Sequence, residues 1–318
     1  IDDPSAHFQI ALWTGNGSSG TAVTNDGNSN LQPDWLWGKI RDDNADQLRN
    51  NWWIDSTRGI NKALGSNTTS VEETNSGYLN SFDSDGFTLG NDGNSNDSGD
   101  LVVGWQWKAN GGSRTTFTES SNNPGGGYQA NTTAGFSIVD YTGTGGAGTV
   151  SHGLGAVPKL LIVKNRDATT DWAVYHRSAS SAGNDSYLEI NTQDAVATAG
   201  TVWNDTSPSS SVFTVGTNTK TNTDGEKYIA YCFAEIQGYS KFSSYKGNGE
   251  SNGAFIYTGF QPAWIILKRN DNATNSDWTI YDNKRSATGG GNENNKFLRA
   301  NGTNAEASAS GLDILSNG

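Results

Sequence analysis

One short sentence is written three times in this chain. It reads Gln32-Pro33-Asp34-Trp35-Leu36-Trp37-Gly38-Lys39, then Val157-Pro158-Lys159-Leu160-Leu161-Ile162-Val163-Lys164, then Gln261-Pro262-Ala263-Trp264-Ile265-Ile266-Leu267-Lys268. Each copy opens on a Pro, runs through apolar residues and reaches a Lys six residues after the Pro. An apolar run opened by Pro reads as a buried strand, whose first residue tolerates the missing N–H. Three copies of one strand imply three copies of one structural unit.

The rest of each unit follows the same order. An aromatic-rich strand opens it and ends in Gly-x-Gly: Phe8 to Gly17, Phe136 to Gly145, Phe242 to Gly249. After the Pro-led strand comes a Trp-bearing one, at Trp52-Trp53-Ile54-Asp55, Trp172-Ala173-Val174-Tyr175 and Trp278-Thr279-Ile280-Tyr281. The period of two in these runs predicts strands with one packed face. Each leads to a basic residue, Arg58, Arg177 or Arg285, and then to Leu-x-x-Asn at Leu64, Leu188 and Leu298. Two units close with a Phe strand, an Asn-x-x-Gly turn and a strand with aromatics two apart. These are Phe87, Asn96, Trp105 and Trp107 in the first, and Phe213, Asn222, Tyr231 and Phe233 in the second. That is a hairpin signature.

The expected fold class is therefore all-β: tandem β-sandwich repeat units, jelly-roll-like in arrangement. The expected domains are a connector at 1–9 and repeats at 10–128, 134–240 and 241–318, the last apparently incomplete. An incomplete third unit predicts that the chain continues beyond Gly318, or that another chain supplies its last strands. Asn122-Asn123-Pro124-Gly125-Gly126-Gly127 reads as a flexible linker. The best helical window, Asp46 to Trp53, is short.

Composition bounds the function. Charged residues are only 17% of the chain, yet 11 Trp, 11 Tyr and 11 Phe supply large apolar rings. Such rings build cores and argue against disorder. A net charge of −12 argues against nucleic acid and anionic membranes as partners. No run reaches the roughly 18 apolar residues of a membrane helix.

No catalytic, cofactor-binding or metal-ligating residue is expected. The lone Cys232 lies in an apolar strand and reads as a core thiol. His7, His152 and His176 are scattered, without the paired spacing a metal needs. The glycine run Gly143-Thr144-Gly145-Gly146-Ala147-Gly148 lacks the helix behind it that phosphate binding requires, and reads as a mobile turn. Asp83-Ser84-Asp85-Gly86 and Asn91 to Asp97 carry oxygen ligands at alternate positions, as calcium loops do, but lack the closing Glu. Turn preference explains them. The charges that recur among units are basic, at Lys39, Lys164 and Lys268, and the expected use is inter-strand or inter-unit salt bridging.

Tyr141-Thr142-Gly143, Ser151-His152-Gly153-Leu154-Gly155-Ala156-Val157-Pro158 through Lys164-Asn165-Arg166, then Trp172 and Arg177, resemble an uncharacterised repeat domain. That domain occurs in large virion proteins of tailed bacteriophages, marine and cyanobacterial phages among them. Gly259-Phe260-Gln261-Pro262-Ala263-Trp264-Ile265 is similar to its opening, and Ser81 to Gly90 to another part of it. The first unit departs where Gly38-Lys39-Ile40-Arg41 replaces the Lys-Asn-Arg ending. The resemblance implies a virion surface protein: a tail fibre, an appendage or a capsid-attached fibre. It implies other virion proteins as partners, a homo-oligomer and a host surface glycan as a contact, and it assigns no active residue. A cell-surface carbohydrate-binding or adhesion module is the alternative, and a glycan-cleaving tail enzyme a third.

Overall fold

The computed structural model describes residues 1–42, 49–179, 184–250, 252–285 and 293–318. The described chain is nearly all antiparallel β-structure. Unit one contains β1 (Phe8–Thr14), β2 (Thr21–Val23), β3 (Trp35–Ile40), β4 (Trp52–Asp55), β5 (Lys62–Ala63), β6 (Glu73–Thr74), β7 (Leu79–Asp83), β8 (Gly86–Leu89) and β9 (Leu101–Trp107). Next in the chain come β10 (Thr115–Phe117), β11 (Gly125–Asn131), β12 (Phe136–Thr142), β13 (Gly148–Ser151), β14 (Pro158–Asn165), β15 (Ala173–His176), β16 (Ser186–Tyr187), β17 (Ala197–Thr198), β18 (Val212–Val215) and β19 (Lys227–Ala234). Unit three contributes β20 (Trp264–Leu267), β21 (Thr279–Asp282), β22 (Glu293–Arg299) and β23 (Ala307–Asp313).

The three units share one register. The main sheet of unit one has the order β1-β9-β3-β4, and that of unit two embeds the same order as β12-β19-β14-β15. Trp37 faces Trp105 as Ile162 faces Tyr231. A smaller sheet pairs β2 with β8 in unit one and β13 with β18 in unit two. In unit three β20 pairs with β21, and β20 ends the sheet.

Each Trp-bearing strand meets the Leu of its Leu-x-x-Asn motif: Trp53 opposite Leu64, Val174 opposite Leu188, Ile280 opposite Leu298. The Asn then accepts from the strand's first backbone N–H, Asn67 from Asn51, Asn191 from Trp172 and Asn301 from Trp278. Asn51, not Trp52, is thus the counterpart of Trp172 and Trp278. Spacing alone puts the tryptophans in line; the ladder shifts unit one by a residue. The ladder also separates the arginines. Arg58 and Arg285 are equivalent, but Ala179 holds their place in unit two, and Arg177 sits two residues earlier.

Other expectations also change. Asn122–Gly127 is no loose linker: Ser120 and Asn123 bridge, and Gly125 begins β11, which pairs along its length with β12. At Gly126 a Cβ would lie 2.0 Å from the Asp140 backbone oxygen of β12, an approach that only glycine allows. In the window Asp46 to Trp53, positions 46–48 lie outside the described residues, and Trp52–Asp55 is strand. Besides a 3-10 turn at Pro4–Ala6, the helices among the described residues are single turns, α1 (Gly93–Asn96) and α2 (Gly200–Trp203). Phe242 to Gly249 is irregular, not a strand.

The core explains the composition. One apolar cluster draws on all three units at once: Trp35, Trp37, Trp53 and Trp105 from the first, Ile162, Trp172 and Tyr231 from the second, Trp278, Ile280 and Leu298 from the third. Trp35 stacks on Trp107 at 4.3 Å and on Tyr231 at 4.6 Å. Ring pairs of this kind add about 0.5–1.5 kcal/mol each beyond the area they bury. Units one and two also have cores of their own, around Phe87 and Leu36 and around Phe213 and Trp203.

Candidate functional site

The recurring polar residues converge at the joints between units. Lys39 donates to the carbonyl of Thr303, Lys164 to that of Thr69, and Lys268 to that of Gln193, at 2.9, 3.2 and 3.0 Å. Each acceptor lies five residues after the Leu of the neighbouring unit. The expected salt bridges are therefore not what these lysines make; they hydrogen-bond to backbone. Eight residues after the same Leu, a backbone N–H crosses back. Glu306 donates to Arg41, Glu72 to Arg166 and Val196 to Asn270. The first residue of each Trp-bearing strand completes the set. Asn51 donates to Arg299, Trp172 to Gly65 and Trp278 to Glu189, always to the carbonyl one residue after the Leu.

These contacts run in a cycle. Unit one reaches unit three, unit two reaches unit one, and unit three reaches unit two. The three units close on themselves around the shared aromatic core.

Two joints carry a buried ionic network. At one, Asp55 and Arg58 pair at 2.5 Å with both side chains fully buried. Tyr231 of unit two donates to Asp55 at 2.8 Å, and Glu72 binds both Arg58 and Arg166. At the other, Asp282 pairs with Arg285 at 2.5 Å, Trp105 of unit one donates to Asp282, and Glu306 binds both Arg285 and Arg41. Burial works against the Arg58 charge, yet Asp55 and Glu72 outweigh it and hold the guanidinium firmly protonated. Burial alone would raise the Glu72 carboxyl; the hydrogen bond from Arg166 and the charge of Arg58 keep it below the usual glutamate value.

The third joint has none of this. His176, Ala179, Val196 and Asn270 stand where the others have Asp, Arg, Glu and Arg. All four charges are replaced together. A lone buried charge is far more costly than a neutral set, so partial replacement is the unfavourable state. The equivalent glutamates, Glu72 and Glu306, were not singled out from sequence. Their signal was present: a Glu eight residues after the motif Leu in two copies of three.

The remaining candidates take structural roles in the described residues. His152 is fully buried, accepts from the Leu154 N–H through Nδ1 and contacts the Ser209 carbonyl through Nε2; burial lowers its pKa. His7 contacts Asn131 at 2.9 Å. Cys232 is buried in β19, and burial pushes its thiol up to about 12, the opposite of an activated nucleophile. The glycine run at 143–148 is a pinned turn rather than a mobile one. Asn222, buried beneath it, accepts from the Thr144 N–H and donates to the Gly146 and Gly216 carbonyls. Asn96 does the same in unit one, from Asn16 and to Ser18 and Gly90. Asp83 accepts from Ser81 and Thr88, Asp85 from the Leu31 N–H, and Asp92 caps α1. Among the described residues no group of three or more His, Cys, Asp or Glu converges as a metal site.

A shallow cleft of about 320 Å³ opens on unit two. Phe117 and Tyr128, from β10 and β11, lie near-parallel along one wall with centroids 6.4 Å apart. Thr115, Thr116, Ser151, Ser210 and Ser211 supply hydroxyls around them. Half-exposed rings rimmed by hydroxyls can hold the apolar face of a sugar.

Residues 3–318 match the family described as a domain of unknown function, DUF7483. The chain belongs to that family. The match spans all three copies of the repeated passage. Neither curated proteins nor solved structures gave a match.

Proposed function

We propose that this member of the family is a non-enzymatic structural protein of a tailed-phage particle. Its place there is a tail fibre, an appendage or a capsid-attached fibre at the particle surface. It would be built from three jelly-roll-like β-sandwich units and assemble with other virion proteins as a homo-oligomer. One observation carries this reading. The lysines and the strand-leading Asn51, Trp172 and Trp278 that recur among the units donate to backbone carbonyls of the neighbouring unit, while the motif Asn fixes the strand within its own unit. Repeated chemistry that joins repeats is what a particle component needs. The virion-protein resemblance of the repeated sentence supports the same reading. Peptide mapping of purified particles tests it. Peptides of this chain at the abundance of known particle components are expected; peptides confined to a cell-surface or secreted fraction would overturn it.

The Phe117–Tyr128 cleft favours a second reading, a carbohydrate-binding or adhesion module. A glycan array decides between them. Binding that disappears in the Tyr128→Ala variant, without association with particles, would favour the module. Release of oligosaccharide products would instead make the protein a glycan-cleaving enzyme.

A further inference from the structure

Among the described residues, unit three is open where units one and two are filled. In those units the Pro-led strand lies between a Trp-bearing strand and a closing strand. Strand β20 has β21 on one side only among the described residues. All six residues of β3 are buried, but β20 is only half-buried along its length. The segment in the place of β12, which flanks β19 in unit two, is open as well. Tyr141 of unit two is 2% exposed and stacks on Tyr228 of β19; its counterpart Tyr245 is 55% exposed. Phe255 and Tyr257, just before the Pro-led strand, are 58% and 66% exposed. These three are the most exposed aromatics of the described chain, and they lie together in sequence on the open half of one unit.

The third joint is open at the same place. Asp55 accepts from Tyr231, and Asp282 accepts from Trp105; both donors sit on closing strands. His176 occupies the equivalent position, and its donor strand is the one β20 lacks. The backbone N–H of Ser178 donates to His176 Nδ1 at 3.1 Å. Nδ1 is therefore unprotonated, and in the neutral ring Nε2 carries the hydrogen. A partner for Nε2–H must accept, which a tyrosine hydroxyl does and an indole N–H does not.

We propose that the open half of unit three binds a polypeptide segment of the unit-closing type. The segment runs antiparallel to Trp264–Leu267, as β9 runs along β3 and β19 along β14. It sets one aromatic opposite Trp264 and a tyrosine opposite Ile266, and that tyrosine accepts from His176. Strand addition to a free edge is a common mode of peptide recognition, with backbone bonds giving affinity and alternate side chains giving specificity.

The probe is a synthetic peptide copying residues 223–235 with Cys232→Ser, titrated into the full chain by calorimetry. One-to-one binding at least ten-fold tighter than a scrambled peptide is expected. Hydrogen exchange should slow at 264–267 and 242–257 on addition, a readout needing no variant of the protein. A peptide carrying Tyr231→Phe should bind about five-fold more weakly, the value of one hydrogen bond. In the His176→Ala chain the Tyr and Phe peptides should bind equally, which isolates that pair. Equal binding of the scrambled peptide, or unchanged exchange at 264–267, would overturn the proposal. So would concentration-dependent protection of 264–267 without peptide, which would make a second copy the occupant.

Discussion

At the residue scale the joints show charge arranged in sets. Asp55, Arg58, Glu72 and Arg166 form one set, and each member compensates a burial cost that another creates. Arg58→Ala should therefore cost about 3–5 kcal/mol in denaturant unfolding, because Asp55 is left buried beside it. Copying the neutral joint should be much milder. A variant with Asp55→His, Arg58→Ala, Glu72→Val and Arg166→Asn is expected to be more stable than Arg58→Ala alone, an outcome only strong coupling gives. The lysines make a different prediction. Burial lowers Lys39 to about 7 and Lys164 to about 8. Above those values the folded chain has released protons that the unfolded chain still holds, up to the ordinary lysine value. Stability then rises with pH, by about 2 kcal/mol per pH unit between 7 and 9. Chemical denaturation across that range checks it, and Lys39→Met should remove most of the rise between 7 and 8, leaving the part that Lys164 supplies. The sequence displayed these lysines clearly as a recurring feature. It did not show that their partners are carbonyls in another unit, since those lie in polar loops with no distinguishing residue.

At the element scale the units keep the same close approaches. Gly90 and Gly216 follow β8 and β18, and a Cβ on either would lie 2.0 Å from a backbone oxygen, of Gly77 or of Thr201. A backbone oxygen cannot swing aside as a side chain can. Gly90→Ala and Gly216→Ala should each lower the thermal midpoint, and by similar amounts, because the approach is the same in both units; differential scanning calorimetry on the two variants tests this. The strands themselves were legible wherever a period of two or a buried apolar run appeared, as in Phe8–Thr14 and Pro158–Asn165. Reading failed in two kinds of place. Gly125–Asn131 has turn composition but becomes a strand because β12 offers it a partner. Phe242–Tyr245 has strand composition but is irregular, with no strand beside it among the described residues. A strand is a property of a pair, and composition describes only one member.

At the scale of the whole molecule the shared core makes the three units interdependent. Unit two has its own core around Phe213 and Trp203, but its other face, with Ile138, Ile162, Trp172 and Tyr231, is covered by units one and three. A fragment of residues 113–240 should keep β-structure yet bind a hydrophobic dye and self-associate, whereas the intact chain should not do so at this face. Dye fluorescence and sedimentation measure both. The sequence by itself determined that the chain is β-built, that one short passage is written three times, and which residues recur with it. Those follow from local spacing, which strand geometry imposes on any chain. Only the tertiary structure decided that the units close into a cycle, that Asn51 takes the place of a tryptophan, and that four charges stand or fall together at each joint. Those depend on contacts between residues up to 265 positions apart, as in Arg41 and Glu306, and no local spacing encodes which surfaces will meet.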